Sequence, residues 1–538
     1  MANMATYHST RSKAPALTSK EAIRRGIAPD GGLYVSDALG DATVDLENLA
    51  DKDYFELARE VLGALLPDYT ADEIAACVTE AYEGTFASDE LTPVVPLSCA
   101  PNADNVPAYV LELWHGPTSA FKDVALQMLP RLMARTADTD TDYTATAGTG
   151  VTAEADAADT AEADAADTAS ASSPAPAEKI MIVTATSGDT GKAALAGFAD
   201  APGCGITVFY PEGKVSRVQE LQMSTQEGGN VSVCGVRGNF DDAQSAVKRI
   251  FADRGLAERL AAQGVRLSSA NSINVGRLVP QVVYYFAAYA QLLRAGSIEP
   301  GDAVEFCVPT GNFGDILAGY YAKRLGLPVA KLVVASDKNN VLYDFLTTGT
   351  YDRDRPFFTT TSPSMDILIS SNLERMLYYL SDGDCELVSQ LMDQLAQGSY
   401  EVPAELLAKI QQVFGCGWAD EDQVAAAIKS CWEANGYLID PHTACGYHVL
   451  TDQPATPGAK ARVLLSTASP YKFPRAVASA LGLFCPPSDF ACMDVLAKAT
   501  DTTAPEQLAT LQGKPVLHTD VVDVDGMSAY VENAARAL

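Results

Sequence analysis

The sequence predicts an α/β fold in which mostly parallel sheets are covered by helices on both faces. Two observations carry this prediction. Short apolar strands alternate with helical segments after residue 178, and glycine-bearing turns follow directly on the strands. In sheets of this kind, ligands bind at the carboxyl ends of the strands, so these turns are the first candidates for a functional site.

Each strand prediction rests on a short run of apolar and β-branched residues bounded by a turn. The runs lie at 179–185, 206–210, 230–236, 303–308, 331–335 and 463–469. They are continuously apolar rather than alternating, which indicates strands buried on both faces. Helices are expected between them, among them one from about residue 241 and one ending near residue 325.

The pattern also divides the chain into parts. Residues 1–95 are mainly helical and form an N-terminal domain, residues 96–480 form the main α/β domain with two subdomains, and residues 481–538 form a C-terminal appendage. Residues 136–178 interrupt the main domain with ten acidic residues, no lysine or arginine, and a tandem octamer at 153–160 and 161–168. We expect this insertion to be disordered. A tethering or solubilising role and a neutral expansion are both compatible with it.

The composition excludes several classes of function. The net charge of −31 argues against nucleic acid or an anionic membrane as partner, and no apolar run has the length of a spanning helix. The first residues do not resemble a signal peptide. The eleven cysteines contain no Cys-x-x-Cys pair, and the five histidines are dispersed. We therefore expect reduced thiols, a cytoplasmic location and no metal site.

Lys122 is the candidate for covalent chemistry. It follows the Gly116-Pro117 turn and Phe121, at the predicted start of a helix. An ammonium group is disfavoured near helix-terminal N–H groups, and a free amine is what Schiff-base chemistry requires. A solvated lysine in a surface turn would have the same local sequence.

Three strand–turn–helix elements are candidates for binding anions. The turn 310–315 brings two glycines to a helix start, where the backbone can approach a phosphate closely. The turn 186–191 offers hydroxyls suited to a carboxylate, and the turn 269–277 offers asparagines, serines and Arg277 suited to a dianionic phosphate. Each element also has a purely structural interpretation, as strand–helix packing or as an N-cap.

The chain resembles the threonine synthases of bacteria and fungi that have an N-terminal domain. The resemblance covers residues 7 to about 475 outside the insertion. It rests on motifs at 7–11, 28–34, 115–123, 186–191, 236–242, 271–277, 309–315, 366–375, 440–444 and 466–473. The insertion departs from the family's pattern, and so does Ser469, which stands where that pattern has histidine.

This resemblance implies the tryptophan-synthase-β-like fold (fold type II) and pyridoxal 5'-phosphate as cofactor. Residues 96–480 would be the catalytic domain. Lys122 would form the Schiff base, and Thr467 would face the pyridine nitrogen. The other residues implied to contact the cofactor are Gly311, Asn312, Phe313 and Gly314, through the phosphate, and Asp189.

The implied substrate is O-phospho-L-homoserine. Its carboxylate would be bound by Thr186, Ser187 and Thr190. Its phosphate would be bound by Asn271, Ser272, Asn274 and Arg277, with Lys192 as a helper.

The implied activity is that of a carbon–oxygen lyase in the last step of threonine biosynthesis. Phosphate leaves the γ-carbon, water adds at the β-carbon, and L-threonine is released. Two enzymatic alternatives share the Lys122 site: a threonine-synthase-like phospho-lyase giving a keto acid and ammonia, and a β-replacing enzyme with no need of a second phosphate site. A binding protein without catalysis is the alternative from another class. The sequence carries no signal of an oligomeric state.

Overall fold

The computed structural model describes residues 6–88, 90–98, 105–136, 178–186 and 188–538, with the backbone alone at residue 241. The predicted insertion at 136–178 therefore lies outside the described residues except at its two ends.

Two sheets with parallel strands form the centre of the molecule, as predicted. In the described residues the larger sheet has five parallel strands and one short antiparallel edge strand. Its spatial order is β14-β11-β10-β15-β5-β4, with the bounds β4 Val94–Pro96, β5 Ala108–Glu112, β10 Val304–Pro309, β11 Val329–Ser336, β14 Phe414–Trp418 and β15 Ala461–Ser466.

The smaller sheet is parallel throughout and has the order β16-β8-β7-β6-β9. Its strands are β6 Lys179–Ala185, β7 Cys204–Pro211, β8 Val231–Arg237, β9 Val265–Ser268 and β16 Asp520–Asp523. The strand predicted at 179–185 is present with those bounds. The other predicted strands of both sheets are present within one to three residues, because continuous apolar runs leave their ends to be set by the turns.

Helices cover both sheets. Those associated with the smaller sheet are α5 Asp189–Phe198, α6 Arg217–Ser224, α7 Phe240–Ala252 and α8 Arg254–Ala261. Those associated with the larger sheet and its extensions are α4 Lys122–Ala134, α9 Val275–Leu278, α10 Val282–Arg294, α11 Gly314–Arg324, α12 Val341–Thr348, α13 Leu373–Leu380, α14 Cys385–Ala396, α15 Ala404–Val413, α16 Glu421–Asn435, α17 Pro441–Asp452 and α18 Pro474–Ala480. Two short strands, β12 Thr350–Asp352 and β13 Ser399–Glu401, pair beside them.

The N-terminal part is mainly helical, as predicted, with α1 Ser19–Arg25, α2 Tyr54–Leu65 and α3 Ala71–Tyr82. It also has a three-stranded antiparallel sheet that the sequence pattern did not reveal, formed by β1 Tyr7–Ser9, β2 Ser12–Leu17 and β3 Tyr34–Ser36. Two of these strands have three residues, too few to show an alternating pattern. The sheet is bonded to α13 through Arg11, whose guanidinium donates to both oxygens of Glu374 at 2.9 and 3.0 Å.

The C-terminal segment packs against helix α18 and also adds a strand to the smaller sheet. It contains α19 Asp489–Thr500, α20 Glu506–Ala509 and α21 Met527–Arg536. Helix α19 packs on α18, and β16 extends the smaller sheet beside β8. In the part of the chain that the structure describes, no helix is both long and apolar enough to cross a bilayer.

A buried ion pair joins the two central strands of the larger sheet. Glu305 of β10 and Arg462 of β15 are cross-strand neighbours, and each is 1% exposed. The Arg462 Nε donates to Glu305 Oε1 at 2.6 Å, and its Nη1 donates to the carbonyl of Leu450 at 2.8 Å. Breaking one member of such a pair leaves a buried charge without a partner.

We predict that Arg462→Met destabilises the protein by about 3–5 kcal/mol, because Glu305 would remain buried without its counter-ion. Urea denaturation followed by circular dichroism measures this loss. Arg237→Met is the matched control, since Arg237 pairs with Asp523 in solvent and its loss should cost less than about 1 kcal/mol. Equal denaturation midpoints for the two variants would contradict the prediction.

Candidate active site

A cavity of about 1930 Å³ lies where the carboxyl ends of the two sheets face each other. Strands β5, β10 and β15 of the larger sheet lead into its wall, and β6 and β9 lead into it from the smaller sheet. Most of the predicted site residues line this one cavity: Lys122, Thr186, Thr190, Asn271, Ser272, Arg277, Gly311, Asn312, Phe313, Gly314 and Thr467. Residues far apart in the sequence thus converge, as expected for strand ends in a parallel sheet.

Lys122 is the first residue of α4 and is 8% exposed. Its Nζ donates to the hydroxyl of Ser364 at 3.1 Å and lies 3.8 Å from Asp189 Oδ2. Burial lowers the pKa of the Lys122 amine to about 8 against the opposing attraction of Asp189. Loss of the proton from this amine is therefore easier than from a lysine in water, and the uncharged form can act as a nucleophile or base.

The carboxylate of Asp189 connects the two halves of the site. It opens α5 after the smaller sheet, and its Oδ1 accepts from Lys472 Nζ at 2.8 Å and from Gln219 Nε2 at 3.0 Å. Its Oδ2 accepts from the Ser364 hydroxyl at 3.2 Å. Although Asp189 is fully buried, attraction by Lys472 and Lys122 outweighs desolvation and holds its pKa well below the ordinary range. Asp189 lies behind the cavity wall as a fixed negative charge.

The turn after β10 presents backbone donors of the kind that bind a phosphate. In the described residues, the backbone N–H groups of residues 311–316 have no acceptor within the protein. Ser370 Oγ donates to the carbonyl of Gly311 at 2.8 Å, and the Asn372 N–H donates to the carbonyl of Asn312 at 3.1 Å. Phe313 has a left-handed φ of +60°, which turns successive N–H groups to one side. The start of α11 adds its dipole, so a phosphate fits here.

The turn after β6 is held by one hydroxyl. Thr186 Oγ1 accepts from the N–H groups of Gly188 and Gly191, both at 2.9 Å. Thr186 and Thr190 line the cavity, whereas Ser187 lies outside the described residues. The N-cap of α5 is Gly188, without a side-chain cap bond, so the alternative interpretation of Asp189 as the cap is wrong, and Thr186 supports the turn instead.

The turn after β9 brings Asn271, Ser272 and Arg277 to the cavity. Arg277 is 5% exposed, and its Nη1 donates to the carbonyl of Ala270 at 3.0 Å. Burial lowers the pKa of its guanidinium to about 10, so it stays charged at neutral pH. A buried cation with unused donors is suited to a dianionic phosphate.

The structure corrects the prediction that Asn274 binds the substrate phosphate. Its amide donates to the carbonyls of Ile23 at 3.0 Å and Ser269 at 3.2 Å, and its Oδ1 accepts from the Gly276 N–H at 2.9 Å. The side chain is fully buried, caps α9 and fastens the turn to α1 of the N-terminal part. It therefore has a structural role and no free donor for a ligand. The predicted helper Lys192 lies behind the wall as well, where its amine bonds to Gln226.

A short backbone clamp fixes Lys122 relative to Thr467. The Phe121 N–H donates to the carbonyl of Thr467 at 2.8 Å, and the Ser469 N–H donates to the carbonyl of Ser119 at 3.1 Å. Ala120 and Ala468 form an antiparallel bridge between them. Ser469 is fully buried and caps the next turn through its hydroxyl, so the departure from histidine is accommodated by a local hydrogen bond.

Sequence reasoning missed three residues that touch this arrangement. Ser364 contacts both Lys122 and Asp189, and its N–H donates to His442 Nε2 at 3.1 Å. His442 lines the cavity, and its Nδ1 is 2.7 Å from Asp440 Oδ1. Lys472 has a fully buried side chain. His442 and Lys472 lie in the motifs 440–444 and 466–473, which could have indicated them. Ser364 lies in a long loop that has no periodic pattern and offered no such indication.

A buried amine with a lowered pKa, a row of unpaired N–H groups at a helix start and a hydroxyl directly after β15 define a class of cofactor site. These are the parts that hold pyridoxal phosphate, through its aldehyde, its phosphate and its ring nitrogen. The residues present fit that cofactor, and the fold and site are those of a pyridoxal-phosphate-dependent enzyme of fold type II.

Comparison with known proteins narrows the class. Family models match the chain as "Threonine synthase N terminus" at residues 6–82, "Pyridoxal-phosphate dependent enzyme" at 163–467 and "Threonine synthase, C-terminal" at 443–531. Threonine synthase from Pseudomonas aeruginosa is 37% identical over 88% of this chain and 90% of its own length. Threonine synthase-like 1 from Macaca fascicularis is also 37% identical, over 87% of this chain, but this match spans 58% of that longer protein.

A solved structure agrees. The pyridoxal-phosphate-bound threonine synthase from Brucella melitensis superposes with a TM-score of 0.80 at 36% identity, covering 99% of both chains. The chain belongs to the threonine synthase family, and its cofactor is pyridoxal 5'-phosphate.

We predict that Gly311→Ala weakens pyridoxal phosphate binding by about tenfold or more, because an added Cβ would lie 3.1 Å from Met365 Cα and 3.2 Å from the Ser364 carbonyl. Both neighbours are backbone, so the phosphate turn itself must move. Titration of the cofactor absorbance measures the dissociation constant. Gly63→Ala is the control, since a Cβ there meets nothing within 4 Å, and equal affinities in the two variants would count against the assigned turn.

Proposed function

We propose that this protein converts O-phospho-L-homoserine and water into L-threonine and inorganic phosphate. The observation that supports the proposal is one cavity lined by the Lys122 amine, by the turn 311–314 and by Arg277. The N–H groups of residues 311–316 suit the phosphate of the cofactor, and Arg277 with its turn suits a second phosphate. A substrate without a phosphate would leave Arg277 buried and without a function.

The cofactor and Lys122 divide the chemistry. Pyridoxal phosphate, when bound, supplies an aldehyde that joins to amines and a ring that accepts the electron pair left on the α-carbon. The amine of Lys122 anchors the cofactor between turnovers. The hydroxyl of Thr467, which lines the cavity, would face the ring nitrogen of the bound cofactor, and a hydroxyl there would leave that nitrogen unprotonated, unlike a carboxylate.

Lys122 then acts as the base at the substrate carbons. Its Nζ removes the α-proton and later returns one, which requires the uncharged amine that burial favours. Ser364 Oγ, 3.1 Å away, keeps the amine in position between these transfers. A proton is lost from the β-carbon and the phosphate leaves from the γ-carbon. The γ-carbon then gains a proton and becomes a methyl group, and water adds its hydroxyl at the β-carbon while its remaining proton goes to the released phosphate.

The remaining residues bind and orient the substrate. Arg277, Asn271 and Ser272 hold its phosphate, and they retain it after the bond to the γ-carbon breaks. The turn with Thr186 and Thr190, together with Ser187, holds the carboxylate and so presents the α-proton to Lys122. We place the reaction in the cytoplasm, an inference from the apolar contexts of the cysteines and the lack of a Cys-x-x-Cys pair.

We predict that the full-length protein with its cofactor releases phosphate and L-threonine in equal amounts from O-phospho-L-homoserine. Phosphate is measured colorimetrically and threonine by chromatography in the same samples. Phosphate accompanied by a keto acid and ammonia, without threonine, would assign the phospho-lyase reaction instead.

Two cavity arginines provide the matched variants for this assay. Arg277→Met should raise the KM for O-phospho-L-homoserine by about 100-fold, since a buried charge-assisted contact is lost. Arg266→Met should change it less than about twofold, because Arg266 is half exposed at the outer wall and pairs with Glu178. The activity of a β-replacing enzyme would be nearly unchanged by either substitution.

We predict that borohydride reduction of the holoprotein places the pyridoxyl group on Lys122 and on no other lysine. Peptide mass analysis locates the label. Lys192 is the matched control, since burial also lowers the pKa of its amine to about 8 although it lies behind the cavity wall. Labelling should survive Lys192→Ala and disappear in Lys122→Ala, and a label retained in the latter would remove Lys122 from its role.

A further inference from the structure

Two lysines share one buried carboxylate at the centre of the site. Lys472 Nζ is 2.8 Å from Asp189 Oδ1, whereas Lys122 Nζ is 3.8 Å from Oδ2. Lys472 lies in the 3-10 turn Pro470–Lys472 that follows β15, and its side chain is 0% exposed. Neither the phosphate turns nor the substrate contacts described above use this second lysine.

The hydrogen bonds show which lysine holds the carboxylate. Asp189 Oδ1 receives two donors, Lys472 Nζ and Gln219 Nε2, which pin that oxygen on the side away from Lys122. Oδ2 receives the Ser364 hydroxyl at 3.2 Å, and this same hydroxyl accepts from Lys122. Lys122 therefore reaches the carboxylate mainly through Ser364 rather than by a close ion pair.

We propose that Lys472 is a positioning residue for the reaction: by occupying Asp189, it keeps the carboxylate from forming a tight ion pair with Lys122 and so leaves the Lys122 amine free to gain and lose protons. The proposal rests on the role of Lys122 given above. A permanent close pair with Asp189 would hold Lys122 as an ammonium ion, which is neither nucleophile nor base.

The charges around Lys122 agree with this role. It faces Asp189 of α5, Lys472 of the turn after β15, Arg277 of α9 and its own neighbour Asp123, while the uncharged Ser364 is its hydrogen-bond acceptor. His442 of α17 lines the same cavity and accepts from the Ser364 N–H. Both Arg277 and Lys472 lower the pKa of Lys122, and Asp189 raises it. Removing the cation of Lys472 takes away one group that lowers the pKa of Lys122. It also leaves Lys122 as the lysine next to Asp189.

Lys472 also has a structural contact, which the test must separate from its electrostatic role. Its Nζ donates to the carbonyl of Thr118 at 2.9 Å, in the loop that carries Lys122. A purely structural lysine would alter the stability and the amount of active protein. It would not move the pH at which Lys122 loses its proton.

The experiment measures that pH directly. Full-length protein freed of cofactor is labelled with a trace of acetic anhydride over a range of pH, and mass spectrometry follows the Lys122 peptide. We expect Lys472→Met to shift the midpoint of Lys122 labelling upward by about one pH unit, which lowers the labelling rate at pH 8 about fivefold. Lys472→Arg keeps the cation and should retain the wild-type midpoint. In the holoenzyme, the acid limb of the kcat profile should move upward in Lys472→Met.

The double variant Asp189→Asn/Lys472→Met isolates the route of the effect. Without the carboxylate, loss of Lys472 should raise the midpoint by less than it does in the wild-type background, because only the direct repulsion between the two lysines is then removed. Should Lys472→Met fail to fold by circular dichroism, Gln219→Leu removes the other donor to Oδ1 and should shift the midpoint in the same direction.

An unchanged midpoint in a folded Lys472→Met or Gln219→Leu protein would overturn the proposal, and so would an equal rise in the Asp189→Asn background. These outcomes do not depend on threonine formation. The labelling experiment can therefore reject the positioning role of Lys472 without bearing on the proposed function, which is tested by threonine formation.

Discussion

The buried carboxylate of Asp189 is the interaction on which the site depends. A charge taken out of water must be met by donors, and a lost partner there costs far more than a lost surface contact. Asp189 belongs to the helix after β6 of the smaller sheet, and Lys472 and Ser364 come from loops of the larger one. Satisfying one carboxylate thus forces the loops of both sheets to meet at a single point beside Lys122.

The backbone clamp between residues 119–121 and 467–469 is the second fixed element. It joins the loop before α4, which begins with Lys122, to the turn after β15, which carries Thr467, so the amine and the hydroxyl are held at a fixed separation. Ser119 has a left-handed φ of +58°, and Gln507 of α20 donates to its hydroxyl at 2.9 Å and to the Gly116 carbonyl at 3.0 Å. The C-terminal segment therefore supports the lysine loop from outside, a contact between residues nearly 400 positions apart. Preorganised catalytic groups require support of this kind.

The sequence predicted the parts of the site that local patterns encode. The Gly116-Pro117 turn and the predicted helix start singled out Lys122. Strand–turn–helix patterns located the turn at 311–314 and Arg277, because a strand followed by a helix places the turn at the carboxyl edge of the sheet. It could not show that the amide of Asn274 is consumed by the Ile23 carbonyl of α1, since that contact depends on how the N-terminal part docks. Ser364 was missed for the same reason: its loop is ordered by the tertiary bonds to His442 and Asp189 and not by a repeating pattern.

The net charge of −31 raises the question of how the protein binds two anions. Distant surface carboxylates act through water and are screened beyond about 8–10 Å, whereas the unpaired N–H groups of residues 311–316 and the buried Arg277 lie at the ligand itself. One acidic group does lie next to the phosphate turn. Asp315 is in the first turn of α11, and burial raises its pKa to about 7 although Tyr284 and Tyr285 donate to it at 2.5 and 3.0 Å. Burial thus reduces the negative charge that Asp315 carries next to the phosphate turn near neutral pH. Local donors thus let an acidic protein offer sites in one cavity to its phosphorylated cofactor and to the phosphate of the proposed substrate.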